Sequence, residues 1–324
     1  MNKYFFVLFI SLLSLNVLAQ FPPAAGMEGT TAIAADSSII IAWANHCQIQ
    51  RGYLDIADPD LGLVDYGIAE NGIGRADQNV VSLGDGGVAI LEFDFPIING
   101  PGADFAIFEN SFSDEFLELA LVYVSSNGID YDLFPAISLT QADYQIGGFG
   151  QIDASEIHNL AGKYRGGFGV PFDLEELEIK LGKEIHEITH IKIVDVIGSI
   201  QDDFAILDSQ NHVINDPYPT PFPSGGFDLD ALGIIHQTTA THNLSQLEQQ
   251  LNIYPNPNSG HFQILNKSQQ NIHSTKIFNS RGKLVFQSTL QTNNQSIDID
   301  LKGGVYYLKI IGDFGCIVKS FVVF

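Results

Sequence analysis

Short apolar runs separated by glycine-rich turns recur through residues 20–235: "SIIIAWA", "VAILEFDF", "DFAIFE", "LALVYVSS", "HIKIVDVIG" and "LDALGII". Runs this short, rich in β-branched and aromatic residues and closed by turn formers, predict strands of an all-β sandwich. The sharpest case is "VYVSSNGIDYDLF". There Val122, Val124 and Ser126 alternate up to Asn127-Gly128, a pair suited to a two-residue hairpin turn with positive φ, and Tyr131 and Leu133 resume the alternation.

Two stretches carry helical signals instead. "DASEIHNLAGKY" opens with candidate caps at Asp153 or Ser155, and "DLEELEIKLG" has Asp173 as cap with Glu175 and Glu176 in its first turn. The segment "INDPYPTPFPSGG" holds too much proline for a helix or a central strand. It predicts a long surface loop with Tyr218 and Phe222 held between prolines.

Residues 236–250, "HQTTATHNLSQLEQQ", are polar and aperiodic, so they predict a linker. Beyond it, "LNIYPNPNSGHFQI", "TKIFNSRGKLVFQ" and "GGVYYLKIIGDFGCIVKSFVVF" predict strands joined at Asn258-Ser259-Gly260, Arg281-Gly282-Lys283 and Gly303-Gly304. Residues 251–324 are thus expected to form a second, small Ig-like sandwich. At the other end, Lys3, the apolar run Tyr4 to Leu15 and Val17-Leu18-Ala19 have the order of a secretory signal peptide over residues 1–19, with Gln20 first in the mature chain. That run is short of the ~20 apolar residues of a membrane span, so no span is expected once it is removed.

Charge sharpens the division. The net charge is -23, yet residues 20–250 hold 35 acidic against 7 basic side chains, while 251–324 hold 3 against 7. Such asymmetry marks units of separate history. An acidic body repels nucleic acid and anionic membrane, and neither is expected as a partner. Cys47 and Cys316 are the only cysteines, too few for a disulfide framework or a thiolate zinc site.

In the tail, Tyr254-Pro255-Asn256-Pro257 with Gly260, the "IFNSRGKLV" strand pair and the closing Gly304-Val305-Tyr306-Tyr307 resemble the type A C-terminal sorting domain of the type IX secretion system. The resemblance implies export in a bacterium of the Bacteroidota type, partnership with that secretion machinery through residues 251–324, and delivery to the outer cell surface or the medium.

Candidate chemistry lies in the body. "KEIHEITHIKIVDV" contains His186-Glu187-Ile188-Thr189-His190, the H-E-x-x-H spelling of a zinc protease. That motif works only on a helix, which places both histidines on one face. Here β-branched neighbours favour a strand, in which the two histidines lie roughly 13 Å apart. No G-x-S-x-G elbow occurs, and "AGKYRGG" has tyrosine where a phosphate loop needs Ser or Thr.

The acidic-glycine clusters say more. "NGPGADFAIFEN" places Asp104, Glu109 and Asn110 around one strand, and "SGGFDLDALGII" places Asp228 and Asp230 two apart after a glycine turn. Carboxylates this close call for a cation or for hydrogen bonds. One reading is a structural calcium site clamping loops of the sandwich; the other is that these side chains cap turns. Candidate ligand contacts are Lys163, Tyr164 and Arg165, which gather basic charge beside an aromatic, and Tyr218 and Phe222 on the proline loop. Trp43, in an apolar strand, reads as core.

Across residues 27–235, "VVSLGDGGVAILEFDFPIINGPGADFAIFEN", "LALVYVSSNGIDYDLFP", "LAGKYRGGFGVPFDL" and "YPTPFPSGGFDLDALGII" resemble a family of exported bacterial surface proteins of unassigned activity. More distantly the body is similar to discoidin-type, galactose-binding-like jelly rolls, which implies a jelly-roll-like sandwich whose end loops bind sugars or other ligands. The expectation is an exported, calcium-stabilised binding or adhesion protein with a glycan or surface ligand. The alternative is a secreted hydrolase, either a carboxylate glycosidase or a zinc protease at His186, Glu187 and His190.

Overall fold

The computed structural model describes residues 21–185, 187–238, 247–268, 271–289, 294–312 and 315–324. The expected signal peptide, His186 and residues 239–246 of the expected linker lie outside the described residues. The chain divides into two units, Met1–Gln237 and Thr238–Phe324.

The body is an antiparallel β-sandwich. One sheet runs in the order Ile33–Ala34, Phe168–Phe172, Phe105–Glu109, Asp228–Ile234 and Ala42–Trp43, with Val81–Ser82 also paired to Asp228–Ile234. The other runs in the order His46–Gln50, Val88–Ile97, Ile188–Asp195, Ala120–Ser125 and Asp132–Leu133. Their inner faces share one core. Ala89, Leu91, Val122, Val124, Ile191 and Ile193 from the second sheet pack with Phe105, Ile107, Val170, Leu229 and Leu232 from the first. Phe105, Phe134 and Phe172 meet within it at ring separations of 5.2 to 5.8 Å, in stacked and edge-on geometry, each such pair adding roughly 0.5–1.5 kcal/mol beyond burial.

Strands Phe105–Glu109 and Asp228–Ile234 are buried along their whole length. Their outer face is covered too, where Ala106, Phe108 and Ala231 pack with Ile33, Ile235 and the partly buried Trp43. Trp43 lies tilted against Phe108 at 5.5 Å, which gives it the packing role expected of it. The outer face of the second sheet is half covered by a third cluster containing Leu117, Leu119, Leu121, Ile152 and Ile214.

The "DLEELEIKLG" helix is Leu174–Leu181, capped by the Asp173 carboxylate accepting from Glu175 N and closed by left-handed Gly182. The other expected helix is only a 3-10 turn, Ala154–Glu156, again with an aspartate cap at Asp153. Ile157–His158 then pairs with Ile137–Ser138, because a β-branched residue there finds a strand partner. The hairpin expected at Asn127-Gly128 has a longer connection, since pairing resumes only at Val124 with Asp132. Asn127 Oδ1 accepts from both Ile129 N and Asp130 N, which stabilises the wider loop. The proline segment is not a surface loop throughout: Asn215, Asp216 and Tyr218 are buried.

The second unit is a smaller antiparallel sandwich. Leu251–Tyr254, His261–Asn266 and Asn294–Asp298 form one sheet; Leu284–Thr289, Ile272–Asn279, Gly304–Gly312 and Gly315–Val323 form the other. Phe262, Ile264, Leu308, Ile310 and Phe321 fill its core, joined by Leu247 from the end of the expected linker. Among the described residues no helix is long and apolar enough to cross a membrane.

Candidate functional site

Three carboxyls meet where the core of the body ends. Along Phe105–Glu109, side chains of Phe105 and Ile107 enter the core, and Glu109 takes the next position on that face. Along Ala120–Ser125, Ala120, Val122 and Val124 enter the core from the opposite sheet, and Glu118 stands one step before them in the same alternation. Asp228 opens Asp228–Ile234, beside the pairing of Leu229 with Glu109. All three line a pocket of about 270 Å³, together with Asn110, Ser111, Thr220 and Ser224.

Their surroundings differ. Asp228 accepts from the Ser82 hydroxyl. Burial raises it to about 7, against the pull of that bond and of the Arg51 guanidinium. Arg51 itself donates to the carbonyls of Tyr66, Gly67 and Ser82. Glu109 accepts from Ser111 N at 2.6 Å. Burial, reinforced by the Asp228 and Asp230 charges, pushes it well above the usual range. Glu118 is only 8% exposed. Burial and then the neighbouring charges of Glu109, Asp228, Asp216 and Asp195 drive it up.

Two further aspartates hold the segments that carry these groups. Asp216 accepts from Leu119 N at 2.9 Å, directly beside Glu118. Asp195 accepts from Phe227 N at 2.7 Å and Gly86 N at 3.0 Å, directly before Asp228. Burial raises both well above the ordinary carboxylate range.

Phenylalanines form the rim. Phe112 stacks on Phe116 at 4.6 Å, Phe116 on Phe149 at 6.2 Å, and Phe149 tilts against Phe222 at 5.5 Å. All four line the pocket, although Phe112 and Phe149 remain 74% exposed and Phe222 42% exposed. They come from three loops. Ser111 pins the first by donating to the Phe116 carbonyl. The second and third touch at Gly148, where a Cβ would lie 2.4 Å from the Pro219 carbonyl oxygen.

Of the five expected metal ligands, Glu109, Asn110 and Asp228 share this pocket. Asp104 lies at the other end of its strand and accepts from Gly100 N, Leu174 N and His236 Nδ1. Asp230 does not line the pocket, and a register shift falls between Leu229 and Ala231 beside it. One oxygen accepts from Asp77 N and Gln78 N, while the other has no partner among the described residues. Both aspartates therefore serve backbone N–H groups. Among the described residues no three His, Cys, Asp or Glu side chains converge on a metal position.

Of the expected ligand contacts, Phe222 is in the rim. Tyr218 is buried and donates to Asp55 at 2.8 Å. Lys163 and Tyr164 are not on the surface: they line a separate cavity of about 490 Å³ with His158, Asn159 and Glu176. There Lys163 donates to the Ile157 carbonyl and is lowered to about 8 by burial, and Tyr164 bonds Thr31. His158 and Asn159 both bond Glu176, and Phe21 stacks on His158 at 5.0 Å. Arg165 reaches the Ala25 carbonyl and Asp114. Cys47 is partly buried, its thiol pushed up to about 12.

His190 sits on the strand Ile188–Asp195, as its β-branched neighbours predict. It bonds Thr189 and faces Glu92 at 3.7 Å, and Glu92 also faces His46 at 3.8 Å. A zinc-protease helix is incompatible with that strand. The residues that sequence reasoning missed are Glu118, Phe112, Phe116 and Phe149.

Residues 252–324 match the family described as the secretion system C-terminal sorting domain. No curated protein matches the chain by sequence. Among solved structures, it overlays the BSP domain of a biofilm-associated protein (13% identity, TM-score 0.21, 89% of this chain and 52% of that one). It also overlays PorZ, a surface component of the type IX system of Porphyromonas gingivalis (12%, 0.21, 81% and 50%). A third is a β-glucuronidase from Ruminococcus gnavus (9%, 0.20, 88% and 48%). The chain spans about half the length of each, and likeness this loose carries no argument about the body. The tail is decisive: residues 252–324 are a type IX secretion system sorting domain, and the protein is exported by that route to the outer cell surface or the medium.

Proposed function

We propose that the exported body is a binding module whose ligand occupies the pocket closed by Glu109, Glu118 and Asp228. The observation that carries this reading is the meeting of three carboxyls from both sheets with exposed aromatic rings from three loops in one cavity. Leaving a large apolar side chain in water forgoes roughly 1.5–3 kcal/mol of burial. Placing carboxyls at the end of a core adds a desolvation cost. A ligand that covers the rings and compensates the charge offsets both. Loops on a rigid sandwich are a favoured place for such surfaces.

Calcium is the second reading, favoured by the oxygen donors of Asn110, Ser111, Thr220 and Ser224 beside the carboxyls. Under it the ion closes this end of the sandwich, and a glycan or other surface component binds over it.

Thermal unfolding of the full chain and of its Glu118→Gln variant, with calcium, simple amines and neutral saccharides, tests the reading, because a ligand of the folded state raises the midpoint. A rise in the wild type that the variant loses supports it. Midpoints that never move, or that move equally in the variant, contradict it.

A further inference from the structure

Glu118 is the informative group. It is 8% exposed and lines the pocket, and none of the hydrogen bonds among the described residues is made by its carboxyl, which is open to the cavity. Buried polar groups are nearly always paired with protein or water, and a carboxyl open to a cavity with no protein donor is free to accept from a ligand that enters it. A donor suits that position, and with Glu109 and Asp228 lining the same pocket a positively charged one suits it best. Among the described residues Arg51 is the cation that acts on Asp228, and its guanidinium donates to three backbone carbonyls instead of to Glu118.

The rim narrows the class. Calcium requires six to eight oxygens at close range, and the carboxyls here do not converge on one ion position. Nor has calcium any use for a chain of exposed phenyl rings. An organic cation uses both, since its charge meets the carboxyls while its carbon flank lies on aromatic faces. A pocket of about 270 Å³ falls just below the range of roughly 300–1,000 Å³ that encloses a drug-sized ligand, so it suits a single head group. A quaternary ammonium would leave Glu118 without a hydrogen bond, whereas an N–H-bearing ammonium would not.

We infer that the pocket takes a protonated amine, an alkylammonium whose N–H bonds go to Glu118, with Glu109 and Asp228 as counter-charges and Phe116, Phe149 and Phe222 against its carbon chain. The inference rests on the binding-module reading and gives its ligand a chemical class. A lysine side chain, a polyamine and an amino sugar all present this group.

The test is calorimetric titration of the full chain at pH 8 with n-butylammonium, tetramethylammonium, 1-butanol and calcium. Butylammonium is expected to bind, tetramethylammonium more weakly, and butanol and calcium not at all. Glu118→Gln should weaken butylammonium by at least about tenfold, the scale of a lost charged hydrogen bond. Phe149→Ala, at a ring 74% exposed, should weaken it by about threefold or more. Equal binding of butanol overturns the inference, as does binding unaffected by either substitution. Calcium binding that Glu118→Gln abolishes would overturn the amine while leaving the pocket a binding site. No binding by any probe would overturn both.

Discussion

The backbone N–H of Phe227 donates to the Asp195 carboxylate at 2.7 Å, a bond that joins the two sheets of the body. Asp195 closes Ile188–Asp195 in one sheet, and Phe227 immediately precedes Asp228–Ile234 in the other. Since Asp195 also accepts from Gly86 N, its removal strands two backbone donors at the end of the core. Asp195→Ala is expected to destabilise the body by about 2–4 kcal/mol at pH 5, measured by urea unfolding.

Stability should fall as pH rises through neutrality. In the folded chain Asp85 and Asp228 are raised to about 7 and Asp230 to about 6 by burial. Glu109, Glu118, Asp195 and Asp216 are also raised. The folded state therefore binds more protons than the unfolded one, and stability declines from about pH 4 to pH 7. Facing Asp228 are Ser82 and Arg51, which favour its charge, and Glu109, Glu118 and Asp195, whose charges disfavour ionisation alongside it. Denaturant titrations should show the body more stable at pH 5 than at pH 8 by about 2 kcal/mol or more. Asp228→Asn should flatten that slope; an unchanged slope would count against the pocket's electrostatics.

Gly198 has φ +78°, and a Cβ there would lie 1.8 Å from Asp216 Oδ1. Gly198→Ala must displace the aspartate that holds Leu119 beside Glu118. Strain of this kind costs roughly 1–3 kcal/mol, and the thermal midpoint should drop accordingly. Ligand binding should fall with it, because Glu118 loses its anchor.

Phe149 separates folding from binding. At 74% exposure it contributes little to the core, so Phe149→Ala should change unfolding free energy by less than about 0.5 kcal/mol. The same substitution should weaken the pocket's ligand. A large stability loss would make the ring structural and remove it from the site.

Much of this was legible in the sequence. The tail announced itself through closely spaced motifs at 254–260, 277–285 and 304–307. Asp173 capped its helix because cap and first-turn acids lie within a few residues. Glu109, Asn110, Asp228 and Phe222 stand out in the sequence as candidate ligands and meet in the pocket. Asp228 and Asp230 stand two apart in the sequence, but a register shift falls between Leu229 and Ala231 and the pocket takes only Asp228. Glu118 was invisible because "FLELALVYV" is buried on both faces, so the one acid reads as an ordinary solvent position. Phe112, Phe116 and Phe149 look like core aromatics until three loops distant in sequence bring them together.

The most direct measurement is the number of protons released when n-butylammonium binds, obtained by calorimetry at pH 7 in two buffers of different ionisation enthalpy. Asp228, raised to about 7, is partly protonated at that pH, and a cation entering beside it must expel protons, so wild type should release about half a proton or more per ligand, and Asp228→Asn clearly fewer. Binding with no proton release in the wild type, at unchanged affinity between pH 6 and pH 8, would contradict the account.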